Sequence, residues 1–167
     1  MVSAQRKICL LGPNAVGKTS LVRRFVESIF SERYQATIGV KIDRKVVVVD
    51  AVETNLVIWD LQGADDMERV RTSYLRGAAG VLLVADGTRP ETLKAVSLIQ
   101  THALQSLGHT PTVLLLNKCD LADEWRADDA SLRAFDLSGL PTVRSSAKTG
   151  EGVDEGFHTL VRQMAKG

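Results

Sequence analysis

The chain has 167 residues, of which 44% are hydrophobic and 25% charged, and its net charge is +1. These values are typical of one globular domain, residues 1–167, and give no sign of a nucleic acid partner or of bulk binding to an anionic membrane. We find no apolar run near the roughly 20 residues that span a bilayer, no secretory signal and no prenylation-type cysteine, so we expect a cytoplasmic location and no stable membrane anchor in this chain, which is either not lipidated or trimmed at its end.

Short apolar runs alternate with amphipathic stretches along the whole chain. The runs are rich in Val, Leu and Ile, and most end in a polar residue or glycine, as is typical of strands buried on both faces of a parallel sheet. They are KICLLG, VVVVD, NLVIWD, GVLLVAD, TVLLLNK and TVRSS. Helices are predicted between them, over residues 18–28, 66–77, 90–108, 128–135 and 151–166.

One connection differs from the others. Residues 41–60 read as two strands joined by a short polar turn, which predicts an antiparallel hairpin. The predicted order is therefore β-α-β-β-α-β-α-β-α-β-α, an α/β fold with a six-stranded, mostly parallel sheet and helices on both faces. Ligands of such sheets bind at the carboxyl ends of the strands, so we expect the chemistry in the loops that leave them.

The first of these loops, GPNAVGKTS over residues 12–20, fits the phosphate-loop pattern G-x-x-x-x-G-K-[ST] and has a strand before it and a helix after it. Its backbone N–H groups and the positive end of the helix can surround a triphosphate. Lys18 supplies charge to the β- and γ-phosphates, and the Thr19 hydroxyl can bind Mg²⁺. The predicted nucleotide contacts here are Asn14, Ala15, Val16, Gly17, Lys18, Thr19 and Ser20.

Two later loops predict the base. In LLLNKCD, residues 114–120, the Asp120 carboxylate can accept hydrogen bonds from N1–H and the 2-amino group of guanine, which adenine lacks in that place. The apolar stem of Lys118 can lie along the base, and Asn117 is also predicted to contact the base. In SSAK, residues 145–148, the Ala147 N–H can meet the guanine carbonyl oxygen, and Ser146 and Lys148 flank it. By itself the N-K-x-D tetrapeptide can also be a polar strand end that caps a helix.

Taken together, GxxxxGKT, T-I-G, W-D-x-x-G, NKxD and SAK stand in the order and near the spacing of small GTPases of the Ras superfamily. The chain resembles that family over essentially its whole length, with the Rab-like branch nearest. The resemblance implies a P-loop NTPase G domain that uses GTP, GDP and Mg²⁺. It also implies effector, exchange-factor and activating proteins that bind the surface formed by two switch segments.

The resemblance assigns roles in both switch segments. In switch I, residues 30–40, Phe30 matches an aromatic that lies across the guanine ring, and Tyr34 matches one that closes over the phosphates. Thr37 matches a residue that reaches Mg²⁺ and the γ-phosphate. In switch II, residues 59–66, Asp60 matches an aspartate that holds Mg²⁺ through water, and the Gly63 N–H is expected to meet the γ-phosphate.

Switch II departs from the family at the position that orients the attacking water. The family usually reads W-D-x-A-G-Q-E, whereas this chain reads WDLQGAD, so Ala64 replaces the glutamine and Gln62 lies two places early. Three interpretations remain: a slow GTPase, a GTPase rescued by Gln62, Asn14, Arg33 or a partner residue, and a GTP-binding module without meaningful hydrolysis. The expected catalytic residues are Lys18, Thr37, Gly63 and Gln62. No catalytic role is assigned to Asp86.

Overall fold

The computed structural model describes residues 4–32, 39–61, 63 and 72–166 of the chain. In this part the predicted order of strands and helices is confirmed, with one additional 3₁₀ turn at Ala122–Glu124. The strands are β1 Ala4–Leu11, β2 Val40–Val49, β3 Val52–Leu61, β4 Gly80–Asp86, β5 Thr112–Asn117 and β6 Thr142–Arg144. The helices are α1 Lys18–Glu27, α2 Thr72–Leu75, α3 Glu91–Leu107, α4 Asp129–Ala134 and α5 Val153–Lys166.

The six strands form one sheet in the order β2-β3-β1-β4-β5-β6. β2 and β3 pair antiparallel, with Val49 opposite Val52 at the turn, and the other neighbours pair parallel. The predicted hairpin and mostly parallel sheet are thus confirmed. The parallel strands end at one edge of the sheet, and this brings together loops that are far apart in sequence.

Helices cover both faces of the sheet because alternate residues of each central strand point to opposite sides. Ile8 and Leu10 of β1 face a core shared with α1 and α5, where the Phe25 and Phe157 rings stack with centroids 3.9 Å apart. Cys9 and Leu11 face a second core, which contains apolar side chains of α2, α3 and α4. Both faces of these strands are therefore buried, as the continuous apolar runs in the sequence predicted.

Local signals in the sequence fix several helix ends. α3 begins directly after Pro90, and Gly108 follows its last residue with a φ of 70°, a conformation that glycine adopts without strain. α4 begins after Asp128, whose side chain accepts a hydrogen bond from the Ser131 N–H at 2.8 Å. Within the described part of the chain, no helix is long and apolar enough to cross a membrane.

Candidate functional site

A cleft of about 640 Å³ lies at the carboxyl ends of the parallel strands, lined by the loops after β1, β5 and β6 and by residues next to β2 and β3. Two predicted contact residues do not line it, because Val16 and Ser146 are 0% exposed. The predicted residues that do line it are Asn14, Ala15, Gly17, Lys18, Thr19, Ser20, Phe30, Gly63, Asn117, Lys118, Asp120, Ala147 and Lys148. The phosphate and base motifs therefore share one concave surface.

Side chains bind five consecutive carbonyl oxygens of the phosphate loop, those of residues 12–16. Lys18 Nζ donates to the carbonyls of Gly12 at 2.9 Å and Pro13 at 3.0 Å. The next three carbonyls, those of residues 14–16, also accept hydrogen bonds from side chains. Since N–H and C=O point in opposite directions across a trans peptide unit, this arrangement leaves the N–H groups for an anion.

Two positions of the loop have left-handed backbone, with a φ of 101° at Gly17 and 62° at Ala15. At Gly17 the absence of a side chain is required, because a Cβ would lie 2.3 Å from Asn117 Nδ2. At Ala15 a φ of this sign costs a non-glycine residue roughly 1 kcal/mol. Hydrogen bonds to the Ala15 carbonyl from Lys118 Nζ and from the Arg89 guanidinium, both 3.0 Å long, help to hold this conformation.

A candidate Mg²⁺ position lies between α1 and the end of β3. Thr19 Oγ1 donates to Asp60 Oδ2 at 2.5 Å, and Asp60 is fully buried. Its Oδ1 has no hydrogen-bond partner among the described residues. Burial raises the pKa of Asp60, against the effect of the Thr19 hydrogen bond and of Lys18. A hydroxyl and a buried carboxylate with a free oxygen suit a hard cation that keeps part of its water shell.

Within the described residues, no larger metal cluster competes with this position. Among the described residues there is no group of three or more His, Cys, Asp or Glu side chains that could hold a metal ion. Mg²⁺ is often bound by one or two protein oxygens together with substrate phosphates, so a sparse protein ligand set is what such a site requires.

The base loops are tied to the phosphate loop through Asn117. Its Nδ2 donates to the Val16 carbonyl at 2.9 Å, and its Oδ1 accepts from the Ser145 hydroxyl at 3.2 Å. Asn117, a predicted base contact, lines the cleft, and its amide joins three loops. Ser146 Oγ donates to Asp120 Oδ1 at 2.8 Å and so orients the carboxylate that is predicted to read the base.

Asp86, at the end of β4, was given no catalytic role from sequence, and the structure places it at the centre of an ionic network. Its Oδ2 lies 2.9 Å from Lys118 Nζ and 2.9 Å from Arg89 Nε, while Thr88 donates twice to Oδ1. Arg89 also reaches the Asn14 carbonyl at 3.2 Å. Sequence reasoning missed Arg89, although its place directly after a D-x-T turn at a strand end was a usable signal.

Other residues of the cleft also escaped prediction, since none belongs to a phosphate or base motif. These are Arg23, Ser31, Glu32, Val40, Lys41, Leu61 and Leu121. Gly63, which was predicted, is buried and packs against the phosphate loop, where a Cβ on it would lie 2.4 Å from Asn14 Oδ1. Five further positions that entered the predictions lie outside the described residues: Arg33, Tyr34, Thr37, Gln62 and Ala64.

Replacement of Asp86 with asparagine is expected to lower the free energy of unfolding by about 1–2 kcal/mol at pH 7, because the charged hydrogen bonds to half-buried Lys118 and Arg89 are weakened. Burial alone raises the pKa of Asp86, but hydrogen bonds from Thr88, Lys118 and Arg89 outweigh it, so the pKa is lowered. The difference between the two proteins should persist down to about pH 5 and shrink as Asp86 is protonated, below the ordinary aspartate pKa of about 4.

Urea unfolding from pH 7 to pH 3 checks this expectation. Asp136→Asn is a matched control, since Asp136 is exposed and already has a positive φ that asparagine tolerates. A difference between wild type and Asp86→Asn that is as large at pH 3 as at pH 7 would show that the charge of Asp86 does not stabilise the fold.

Comparison with known proteins assigns the family. The sequence model of the Ras family matches residues 7–166. The chain is 36% identical over 163 residues to the Ras-related protein RabG2 of Dictyostelium discoideum, an alignment that covers 95% of this chain and 81% of that protein. It is 33% identical over 165 residues to the GTP-binding protein ypt2 of Schizosaccharomyces pombe, covering 96% and 81%. The chain therefore belongs to the Ras family of small GTPases and to its Rab-like branch.

Proposed function

We propose that this chain, as one G domain over residues 1–167, is a guanine-nucleotide switch that alternates between GTP and GDP states with Mg²⁺ and hydrolyses GTP slowly. The observation that carries the proposal is the convergence of three kinds of group on one cleft. These are the phosphate loop, Thr19, which donates a hydrogen bond to buried Asp60, and the base loops with Asp120 and Ala147. The yeast relative is named a GTP-binding protein, which supports the same ligand.

The phosphates bind at the loop between β1 and α1. Lys18 is 7% exposed, so its charge acts in a partly desolvated place and is screened little by water. The N–H groups of residues 14–20 surround the β-phosphate, and the Gly63 N–H meets the γ-phosphate. Mg²⁺, when bound, supplies positive charge to the β- and γ-phosphate oxygens. Thr19 and Asp60 would hold the ion, Asp60 through water, and the resemblance adds Thr37 as a further ligand in the GTP state.

The guanine base binds between Phe30 and Lys118, and the Asp120 carboxylate faces its N1–H and 2-amino groups. Ser146 fixes one carboxylate oxygen of Asp120, which leaves the other oxygen and the remaining lone pairs for the two guanine donors. Loss of the γ-phosphate breaks the contacts of Thr37 and Gly63, so both switch segments change with the nucleotide. Effector, exchange-factor and activating proteins read this difference at the switch surface.

Slow turnover follows from Ala64. A methyl group cannot orient a water molecule, whereas binding and Mg²⁺ chemistry need no group at that position. Intrinsic GTP hydrolysis by Ras, at roughly 10⁻⁴ s⁻¹, is slow even with a water-orienting glutamine. A second candidate function, a GTP-binding interaction module with negligible hydrolysis, rests on the same substitution.

Cys9 and Cys119 are both free of disulfide bonds, which supports a reducing, cytoplasmic location.

Competition binding tests the ligand. A fluorescent GDP analogue should bind in the presence of Mg²⁺, be displaced by GDP and GTP, and resist about a hundredfold excess of ADP or ATP, since a carboxylate left without its guanine donors is costly. Chelation of Mg²⁺ with EDTA should speed release of the analogue, because the Thr19 and Asp60 oxygens then hold no cation. Equal displacement by ADP and GDP would overturn the guanine assignment. Release that does not change with EDTA would overturn the Mg²⁺ assignment.

A further inference from the structure

Arg24, in the last turn of α1, belongs to none of the predicted motifs and makes two contacts across the fold. Its Nε donates to the Ala147 carbonyl at 2.8 Å, 123 residues away in sequence, and its terminal nitrogen donates to the Lys148 carbonyl. The planar guanidinium thus spans two consecutive carbonyls of the base loop after β6. A fork of this kind fixes direction as well as distance.

The other carbonyls of this loop are bound by the backbone. Ser145 O accepts from the Cys119 N–H at 3.0 Å, and Ser146 O accepts from the Gly150 N–H at 2.8 Å. On the donor side, the Thr149 N–H bonds to Ser146 Oγ at 3.1 Å. In the described part of the chain, the N–H groups of Ala147 and Lys148 donate to nothing, although Ala147 is only 4% exposed and lines the cleft.

Arg24 therefore sets the direction of one of the two free donors, the Lys148 N–H, while the Ala147 N–H shares its peptide unit with the Ser146 carbonyl that Gly150 holds. A trans peptide unit directs its C=O and N–H to opposite sides, so a carbonyl held toward α1 turns the Lys148 N–H toward the cleft. α1 itself is fixed by the stacking of Phe25, the next residue, on Phe157 of α5. Buried backbone N–H groups are nearly always satisfied, so the free N–H of buried Ala147, next to that of Lys148 at the cleft, indicates an acceptor on the ligand.

We propose that Arg24 is a positioning residue for guanine recognition, which aims the N–H group of Lys148, beside that of Ala147, at the 6-oxo oxygen of the base. The inference rests on the proposed binding of guanine nucleotides. Asp120 accepts hydrogen bonds from the N1–H and 2-amino groups of guanine, and the loop held by Arg24 donates to the 6-oxo oxygen. Adenine carries an amino group at position 6, so donors fixed in this orientation also reject it.

The test compares GDP with 6-thio-GDP, which keeps both donors for Asp120 and replaces the 6-oxo oxygen with sulfur, a weaker acceptor. Wild type should bind GDP more tightly than the thio analogue in the fluorescent competition assay. Arg24→Ala should weaken GDP about tenfold, the value of one hydrogen bond, and weaken 6-thio-GDP about twofold or less. The preference for oxygen over sulfur should therefore fall, which a general loosening of the fold would not produce.

Arg162→Ala serves as the matched control, because Arg162 lies on α5 and pairs with exposed Asp50 at 3.1 Å, outside the lining of the cleft. Arg24→Lys keeps the charge and most of the stem but cannot span both carbonyls. This variant should therefore lose part of the preference for GDP over 6-thio-GDP. It tests the role of Arg24 even if Arg24→Ala folds poorly. Equal weakening of both ligands, no weakening of either, or no preference in wild type would overturn the role of Arg24. Absence of a preference for GDP over ADP in wild type would instead overturn the proposed function.

Discussion

Replacing Ala64 with glutamine is expected to speed the single-turnover hydrolysis of preloaded GTP by about tenfold or more, because one hydrogen bond that orients the attacking water in the transition state is worth about 1.4 kcal/mol. The phosphate loop, Lys18 and the Thr19–Asp60 pair are already in place around the cleft, so the variant adds a group to a site that can bind the nucleotide. Quenched-flow or filter assays of released phosphate in excess Mg²⁺ measure the rate.

Gln62→Ala is the companion variant, because it removes the glutamine that lies two places early. If Ala64 limits the reaction, Gln62→Ala should leave the wild-type rate within about twofold, less than the value of one hydrogen bond. A normal intrinsic rate in wild type that disappears in Gln62→Ala would show that switch II uses Gln62 and would reject slow hydrolysis. A wild type that is inert and stays inert in Ala64→Gln would favour the interaction module.

Substitution of Asp120 with asparagine is expected to weaken GDP binding by roughly a thousandfold, since two charge-assisted hydrogen bonds of about 2 kcal/mol each are lost. The asparagine amide presents a donor where guanine also presents donors, so the contact becomes unfavourable. Xanthosine diphosphate carries a carbonyl in place of the 2-amino group and should bind the variant more tightly than it binds wild type. Competition against a fluorescent nucleotide measures both effects.

A nearby carboxylate provides the control for this substitution. Asp123 lies three residues further along, in the 3₁₀ turn, is exposed and does not line the cleft. Asp123→Asn should therefore leave both affinities unchanged. If Asp120→Asn lowers GDP and xanthosine diphosphate binding in parallel, Asp120 would act through the shape of the loop, and the base would be read by another group.

The layout of the fold could be predicted from the amino-acid sequence alone. Continuous apolar runs identified the buried parallel strands, and residues 41–60 identified the antiparallel hairpin. These predictions succeeded because periodicity and turn chemistry act over a few consecutive residues. The phosphate loop was equally local, since the consecutive residues 14–20 after β1 carry its donors. The roles of Thr37 and of position 64 were assigned only by resemblance, and these roles, like the suggested compensation by Gln62 or Arg33, remain predictions.

The contacts between side chains of different loops became clear only from the folded structure. The base contact of Asn117 stays a prediction, and only the fold shows that its amide also meets the Val16 carbonyl, 101 residues away in sequence. Asp86 was assigned no task, and it holds both Lys118 and Arg89. Arg24 carried no signal at all, because a single arginine in an amphipathic helix is ordinary. These contacts between side chains depend on the order of the strands in the sheet. Short-range patterns in the sequence do not determine that order.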